Sequence, residues 1–213
     1  MEWKKRNESL LTVEQIVENN VKIPINEFLN PPSNPYLANL DKAVSFAKEA
    51  MKTMDVTIVG DYDADGVCST TILSLAVHEF TGKDPKIRIP RRFSEGYGLS
   101  MKIIDEIDHG LIITVDNGIT ALEQIKVAKS KGLKVIVIDH HLPITDEETG
   151  ETQLPEADVI IDPHAIEGSE FCSYCGAGLA YRFAKELIPS SPLLEPLLVF
   201  ASIATVTDVM PLV

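Results

Sequence analysis

Val56-Thr57-Ile58-Val59-Gly60-Asp61-Tyr62-Asp63-Ala64-Asp65-Gly66 decides how the rest of the 213-residue chain is read. Four β-formers run directly into three carboxylates at i, i+2 and i+4, and Gly66 opens a helical pattern expected from about Val67. The stretch reads strand, turn, helix, with acid concentrated at the strand end. Carboxylates a few ångströms apart repel strongly outside bulk water, so a cation set among them is the simplest way to keep them all ionised.

Outward from this stretch, strands alternate with helices. Strands are expected over 56–59, 86–90, 111–115, 134–138 and 158–161, and helices near 67–80, 100–107 and 119–131, with an acid- and threonine-rich loop over 144–156. That alternation predicts an α/β fold with a doubly wound, mainly parallel sheet and helices on both faces. The continuous β-branched runs fit strands covered on both sides. Upstream, residues 1–50 read as an N-terminal adaptor segment ahead of a domain over 51–213. The adaptor has a basic start, a helix near 13–19, the proline-rich turn Asn30-Pro31-Pro32-Ser33-Asn34-Pro35 and a helix over 40–51.

Four predicted strands end in aspartate: Asp61, Asp116, Asp139 and Asp162. One such aspartate is usually a helix cap or turn residue. Four at the carboxyl edge of an open parallel sheet, where ligands bind, point to one crevice. The third end continues as Asp139-His140-His141, and an imidazole beside carboxylates suits a Mn²⁺-like or Zn²⁺-like ion. His78 and His109, without such company, read as ordinary surface or helix residues. The turn Arg91-Arg92-Phe93-Ser94-Glu95-Gly96-Tyr97-Gly98 joins two arginines to a tight Gly-x-Gly before a helix, which suits a phosphate.

Composition bounds the remaining classes. With 45% apolar residues the chain can fill a substantial core. No run reaches the roughly 20 apolar residues that span a bilayer, and Met1-Glu2-Trp3-Lys4-Lys5-Arg6 lacks the apolar segment of a secretory signal, so cytoplasmic residence with no membrane partner is expected. Three cysteines fit a reducing compartment. Cys172-Ser173-Tyr174-Cys175 has metal-ligand spacing but lacks the second pair a structural zinc requires, and Cys68 reads as a core residue. A formal net charge of −13 counts against a broad phosphate-gripping surface, apart from the short basic stretch of Lys83, Lys86, Arg88, Arg91 and Arg92.

Asp61-Tyr62-Asp63-Ala64-Asp65-Gly66, Thr114-Val115-Asp116-Asn117-Gly118 and Asp139-His140-His141 resemble, in order and spacing, the motifs of the DHH phosphoesterase superfamily. Arg91 to Leu99, Gly176-Ala177-Gly178-Leu179-Ala180-Tyr181 and the stretch from Ala204 to Leu212 resemble its RecJ-like branch. The resemblance implies a Rossmann-like DHH domain and metal-dependent 5′→3′ exonuclease action on single-stranded DNA, in the service of DNA repair and recombination. It implies two Mn²⁺ or Mg²⁺ ions, one held by Asp65, Asp116, His140 and Asp208 and a second by Asp63 and Asp116, with Asp61 as a further candidate. Asp116 would bridge, His141 would contact the scissile phosphate or assist the leaving group, and Asp139 would orient the histidines. Arg91 or Arg92, with Gly96, Tyr97 and Gly98, would bind substrate phosphate. Strand logic favours Asp162 where the motif favours Asp208, so Asp162 is expected just outside the ligands. The family carries a second catalytic-core domain after a long helix, and this sequence ends just after the last motif, as expected for the N-terminal part of a longer enzyme.

Rival readings are an oligonucleotide phosphoesterase, nucleotide phosphoesterase or pyrophosphatase of the same superfamily, a phosphatase using Asp61 as nucleophile, and a non-catalytic RecJ-like scaffold. The last can lose its metal ligands without unfolding, and the presence here of every acidic and histidine position named above speaks against it. Neither a Gly-x-Gly-x-x-Gly after the first strand nor a glycine-rich loop with lysine occurs, which excludes the usual dinucleotide and triphosphate sites.

Overall fold

The computed structural model describes residues 12–30, 34–146 and 149–211. The basic start at 1–6, Pro31 to Ser33 of the proline-rich turn, and Leu212 of the last motif lie outside the described residues. The chain divides into residues 1–35 with 211–213, and residues 36–210. In the smaller unit, α1 (Val13–Val21) opens on a capping box formed by Thr12 and Gln15. The Ile25 amide at the start of α2 (Ile25–Leu29) donates to Glu18.

The larger unit runs α3 (Leu40–Ala50), β1 (Val56–Val59), α4 (Ala64–Thr81), β2 (Lys86–Arg88), α5 (Met101–Asp105), β3 (Leu111–Val115), α6 (Leu122–Ser130), β4 (Lys134–Ile138), the two-residue strands β5 (Ile144–Thr145) and β6 (Thr152–Gln153), β7 (Val159–Ile161), α7 (Gly176–Leu187) and α8 (Leu194–Thr207). Five strands form one parallel sheet in the order β2-β1-β3-β4-β7. The break expected near residue 50 therefore falls at 35/36, because α3 buries Leu40, Ala43, Val44 and Ala47 in the core of the larger unit.

Alternation along each strand divides that core. Ile58, Ile113, Ile136, Ile138 and Ile161 face the layer of α3, α4, α7 and α8. Val59, Ile112, Val135, Val137 and Ile160 face the layer containing Ile103, Ile104 and Ile125 of α5 and α6. Helices thus cover both faces. Among the described residues, no helix is long and apolar enough to cross a membrane.

Four local departures from the sequence reading have physical causes. Helix α4 starts at Ala64, three residues before the expected Val67, because the Asp63 side chain caps it by accepting from the Gly66 amide. Strand β2 stops at Arg88 because Pro90 cannot continue a ladder. Within 144–156, read as loop, β5 and β6 pair antiparallel, while residues 147 and 148 lie outside the described residues. Helices α7 and α8 have no counterpart in the sequence reading. The Cys175 thiol caps α7 by accepting from the Gly178 amide, and burial pushes it up to about 11, so it is a packing and capping group.

Candidate metal centre at the carboxyl edge of the sheet

The chain crosses from β1 out to β2 and returns to place β3 on the other side of β1, so the order reverses between β1 and β3. In open α/β sheets that reversal opens a crevice outside the strand ends. Asp61 leaves β1 and Asp116 leaves β3 at this place. Asp116 adopts a left-handed backbone (φ 60°), a conformation in which Asp and Asn are the commonest non-glycine residues, and its amide still donates to the Ile138 carbonyl at 3.0 Å. Helix α4 begins against the backbone of Asp61, where a side chain at Gly66 would meet the Asp61 carbonyl oxygen at 2.5 Å. The carboxylates of that turn are therefore fixed close to the sheet edge.

Among the described residues three groups of ligand atoms result, the atoms within each lying within 4.8 Å of one another: Asp61, Asp63 and Asp116; Asp65, His140 and Asp208; and Asp116, His140 and His141. His140 Nε2 is 3.2 Å from Asp116 Oδ1, 3.5 Å from Asp65 Oδ2 and 3.8 Å from Asp208 Oδ2. Asp208, at the C-terminal cap of α8, joins residues of β4 and α4 from far along the chain. Asp65 is held by the first turn of α7, its two oxygens accepting from the Gly176 and Ala177 amides at 2.6 and 2.8 Å. A side chain at Gly176 would come within 2.7 Å of Asp116 Cβ, so α7 approaches this closely only with glycine there.

Electrostatics match the crowding. Asp61, Asp116, Asp139 and Asp162 are 1% exposed and Asp65 is 2% exposed, an unusual depth for carboxylates. Burial above all, and then Asp65 and Asp63, raise the Asp116 carboxyl; burial and then Asp63 raise Asp61. Burial likewise raises Asp208. Among the described residues Asp61 Oδ1 and Asp116 Oδ2 have no hydrogen-bond partner. Buried, raised and unpartnered carboxylate oxygens converging with an imidazole fit a hard divalent cation, which takes oxygen ligands and compensates their charge.

Around this cluster the histidine pair divides its work. Asp139 Oδ1 accepts from His141 Nδ1 at 2.7 Å and from the His140 amide at 2.8 Å, while Oδ2 accepts from the Ile119 amide. Asp139 thus orients the ring of His141 and the backbone of both histidines, whereas the His140 ring turns toward the carboxylates. The hydrogen bond to Asp139 raises the His141 imidazole against the opposing effect of burial. Tyr97 Oη donates to the Asp116 carbonyl at 3.0 Å and stands 3.2 Å from His141 Nε2. Burial and the surrounding carboxylates raise its phenol, which therefore stays protonated.

Asp162 belongs to none of the three groups. Its Oδ1 accepts from the His164 and Ala165 amides, making it the cap of a turn, although burial pushes the carboxyl up to about 7. Arg92 lies over the Tyr62 ring at 5.2 Å, and Tyr62 meets Tyr97 edge-on at 6.4 Å, so this arginine stands beside the acidic cluster. Gly96 and Gly98 both have positive φ, and Gly98 packs on Asn117. Two residues escaped the sequence reading. Asn117 donates to the Val59 and Val115 carbonyls and accepts from the Leu99 amide, tying the arginine loop to two strand ends. Glu95 anchors the same loop. Asparagine after a strand-end aspartate was the only signal for the first, and a lone acid between arginines and glycines the only one for the second.

The chain is 34% identical over 204 residues to the single-stranded-DNA-specific exonuclease RecJ of Haemophilus influenzae, covering 88% of this chain and 34% of the relative. It is 35% identical to the RecJ of Escherichia coli, covering 83% and 32%. It therefore spans about a third of the length of these curated relatives. A crystal structure of exonuclease RecJ bound to manganese superposes with a TM-score of 0.71 at 30% identity, over 85% of this chain and 46% of that one. The family model described as "DHH family, N-terminal domain" matches residues 55–205, from the start of β1 through nearly all of α8, and by that match the chain belongs to the DHH family.

Proposed function

We propose that this chain is the metal-binding part of a phosphoesterase that hydrolyses single-stranded DNA from its 5′ end, acting in the cytoplasm in DNA repair and recombination. The observation that carries the reading is the convergence of Asp61, Asp63, Asp65, Asp116, His140 and Asp208 into adjoining groups that Asp116 and His140 connect. Asp65, His140 and Asp208 would hold one Mn²⁺ or Mg²⁺ ion, Asp61 and Asp63 a second, with Asp116 shared. Such a pair of cations supplies an activated water and neutralises charge on the phosphoryl group.

The chain's own residues do the rest. Arg91 and Arg92 would take the phosphates of a strand entering the crevice, Arg92 from its place over the Tyr62 ring, since a guanidinium pairs two phosphate oxygens at once. Tyr97 and Asp139 hold His141 between them, and the hydrogen bond to Asp139 raises the imidazole, so that in its protonated form it would donate to the leaving oxygen of the strand. No side-chain nucleophile is required. The remaining two-thirds of the relatives' length would supply further grip on the strand, including a second catalytic-core domain.

Calorimetry with Mn²⁺ and strand hydrolysis test this together. Wild type should bind two ions and release nucleotides from a long 5′-phosphorylated single strand in preference to dinucleotides or pyrophosphate. Asp116→Ala should lose both ions or keep one weakly. Unchanged stoichiometry and affinity in that variant, or a preference for pyrophosphate, would overturn the reading.

A further inference from the structure

We propose that Glu95 is a positioning residue for this reaction, holding the loop 91–98 in the one conformation that presents Arg92 and the Tyr97 hydroxyl to the acidic cluster. The proposal rests on the hydrolase reading for its kinetic consequence, but its geometry stands apart from it.

At its tip the loop has little else to hold it. Phe93 at its tip is fully exposed and Arg91 and Arg92 are exposed, so no apolar contact fixes their backbone. Within 91–96 Glu95 alone turns inward, with its side chain 3% exposed. Its carboxylate accepts from Lys102 Nζ at 2.7 Å, the Arg91 amide at 3.0 Å and the Arg88 guanidinium at 3.3 Å. Arg88 is the last residue of β2 and also forks onto Glu106, while Lys102 lies in α5. One carboxylate therefore joins a strand end, a helix and the loop's first amide.

The charge is permanent near neutrality. Lys102, then the Arg91 amide and then Arg88 hold the Glu95 carboxyl down to about 2. Beyond this anchor the chain turns through Gly96 and Gly98, at φ 82° and 57°, and drops the Tyr97 ring toward Asp116 and His141 between them. Asn117 fixes the loop after Tyr97, but it also bonds two strand ends and so cannot be altered without disturbing the sheet edge. Glu95 touches none of the grouped carboxylates or imidazoles. Its loss therefore frees the loop without removing any grouped ligand.

The test uses Glu95→Ala and Glu95→Gln, with hydrogen exchange, Mn²⁺ calorimetry, and kcat and KM on 5′-phosphorylated and 5′-hydroxyl oligothymidylates. Mn²⁺ affinity should stay within about twofold of wild type while amides of 91–98 exchange at least about tenfold faster in Glu95→Ala. KM for the phosphorylated strand should rise about tenfold and that for the hydroxyl strand by less than about twofold. Glu95→Gln should fall between, since its carbonyl still accepts from the Arg91 amide. Unchanged exchange across 91–98, or equal losses on both strands, overturns the proposal. If wild type binds no Mn²⁺ and cleaves neither strand while exchange still rises only at 91–98, the hydrolase reading falls and the anchor stands.

Discussion

The middles of the strands and their carboxyl ends are equally buried and do opposite things. Ile58, Ile113, Ile136 and Val137 are fully buried, and burying such side chains stabilises the fold by about 1.5–3 kcal/mol each. A few residues on, Asp61, Asp116, Asp139 and Asp162 are 1% exposed, and Asp61 Oδ1, Asp116 Oδ2 and Asp162 Oδ2 lack hydrogen-bond partners among the described residues. A buried polar atom without a partner costs about 1–3 kcal/mol, and more when charged. The same depth that stabilises the core therefore works against it at the edge, and only a cation or a proton relieves the ends. The sheet is a stable platform that holds an unstable one in place.

A paired substitution breaks this contrast most directly. Asp116→Asn keeps shape and tolerates the left-handed backbone, yet removes the charge shared between the groups. Strand hydrolysis should fall by at least about a thousandfold, while the metal-free chain gains about 1–2 kcal/mol in urea unfolding. Ile113→Ala should do the reverse, losing about 3–4 kcal/mol with Mn²⁺ affinity of the folded fraction unchanged. If Asp116→Asn destabilised the metal-free chain as Ile113→Ala does, the carboxyl ends would not be under the strain described.

Acidity sharpens the contrast more gently. Asp162 rises to about 7, and Asp61, Asp116 and Asp208 are raised as well, in each case chiefly by burial. A carboxyl whose folded value lies above its unfolded value of about 4 keeps a proton in the folded state that the unfolded chain has released. Its stabilising effect is complete below about pH 4 and is lost as pH climbs through the folded value. The raised imidazole of His141 acts in the same direction. Thermal melts in chelator should therefore lose roughly 2–4 kcal/mol between pH 5 and pH 8, and Mn²⁺ should restore most of it at pH 8. A metal-free midpoint that rises over that interval would refute this.

What could be read from the sequence follows the same division. The strand middles were legible because β-branched runs at 56–59, 111–115 and 134–138 have few other ways to fold, and β1, β3 and β4 occupy those residues. The strand-end acids were legible as a set, but their individual jobs were not. Asp63 caps α4 and so shifted the helix start. Asp162 caps a turn, and a cap and a ligand look alike at a strand end. Asp208 was found through the family motif, since no strand leads to it. Tyr97, Asn117 and Glu95 act on groups 19 to 58 residues away or through several elements at once, which no local pattern encodes. Helices α7 and α8 went unread although α7 seats Asp65.

That seat gives the smallest and most local way to probe the edge. Gly176 lies where the N-terminus of α7 meets Asp116, and an added Cβ would stand 2.7 Å from Asp116 Cβ and 2.9 Å from its Oδ1. Its backbone is not left-handed, so Gly176→Ala introduces no conformational strain of its own; the effect is contact alone. Either α7 retreats, loosening the 2.6 Å bond from the Gly176 amide to Asp65, or Asp116 shifts within its turn. Both routes move a grouped carboxylate by a fraction of an ångström while leaving the strand middles untouched. Mn²⁺ affinity should weaken about tenfold, as for other supports just behind metal ligands, and unfolding stability should change by less than about 1.5 kcal/mol. A large loss of stability with normal Mn²⁺ binding would mean that the first turn of α7 serves the core as the rest of that helix does and not the acidic edge, and the separation of the two regions would not hold there.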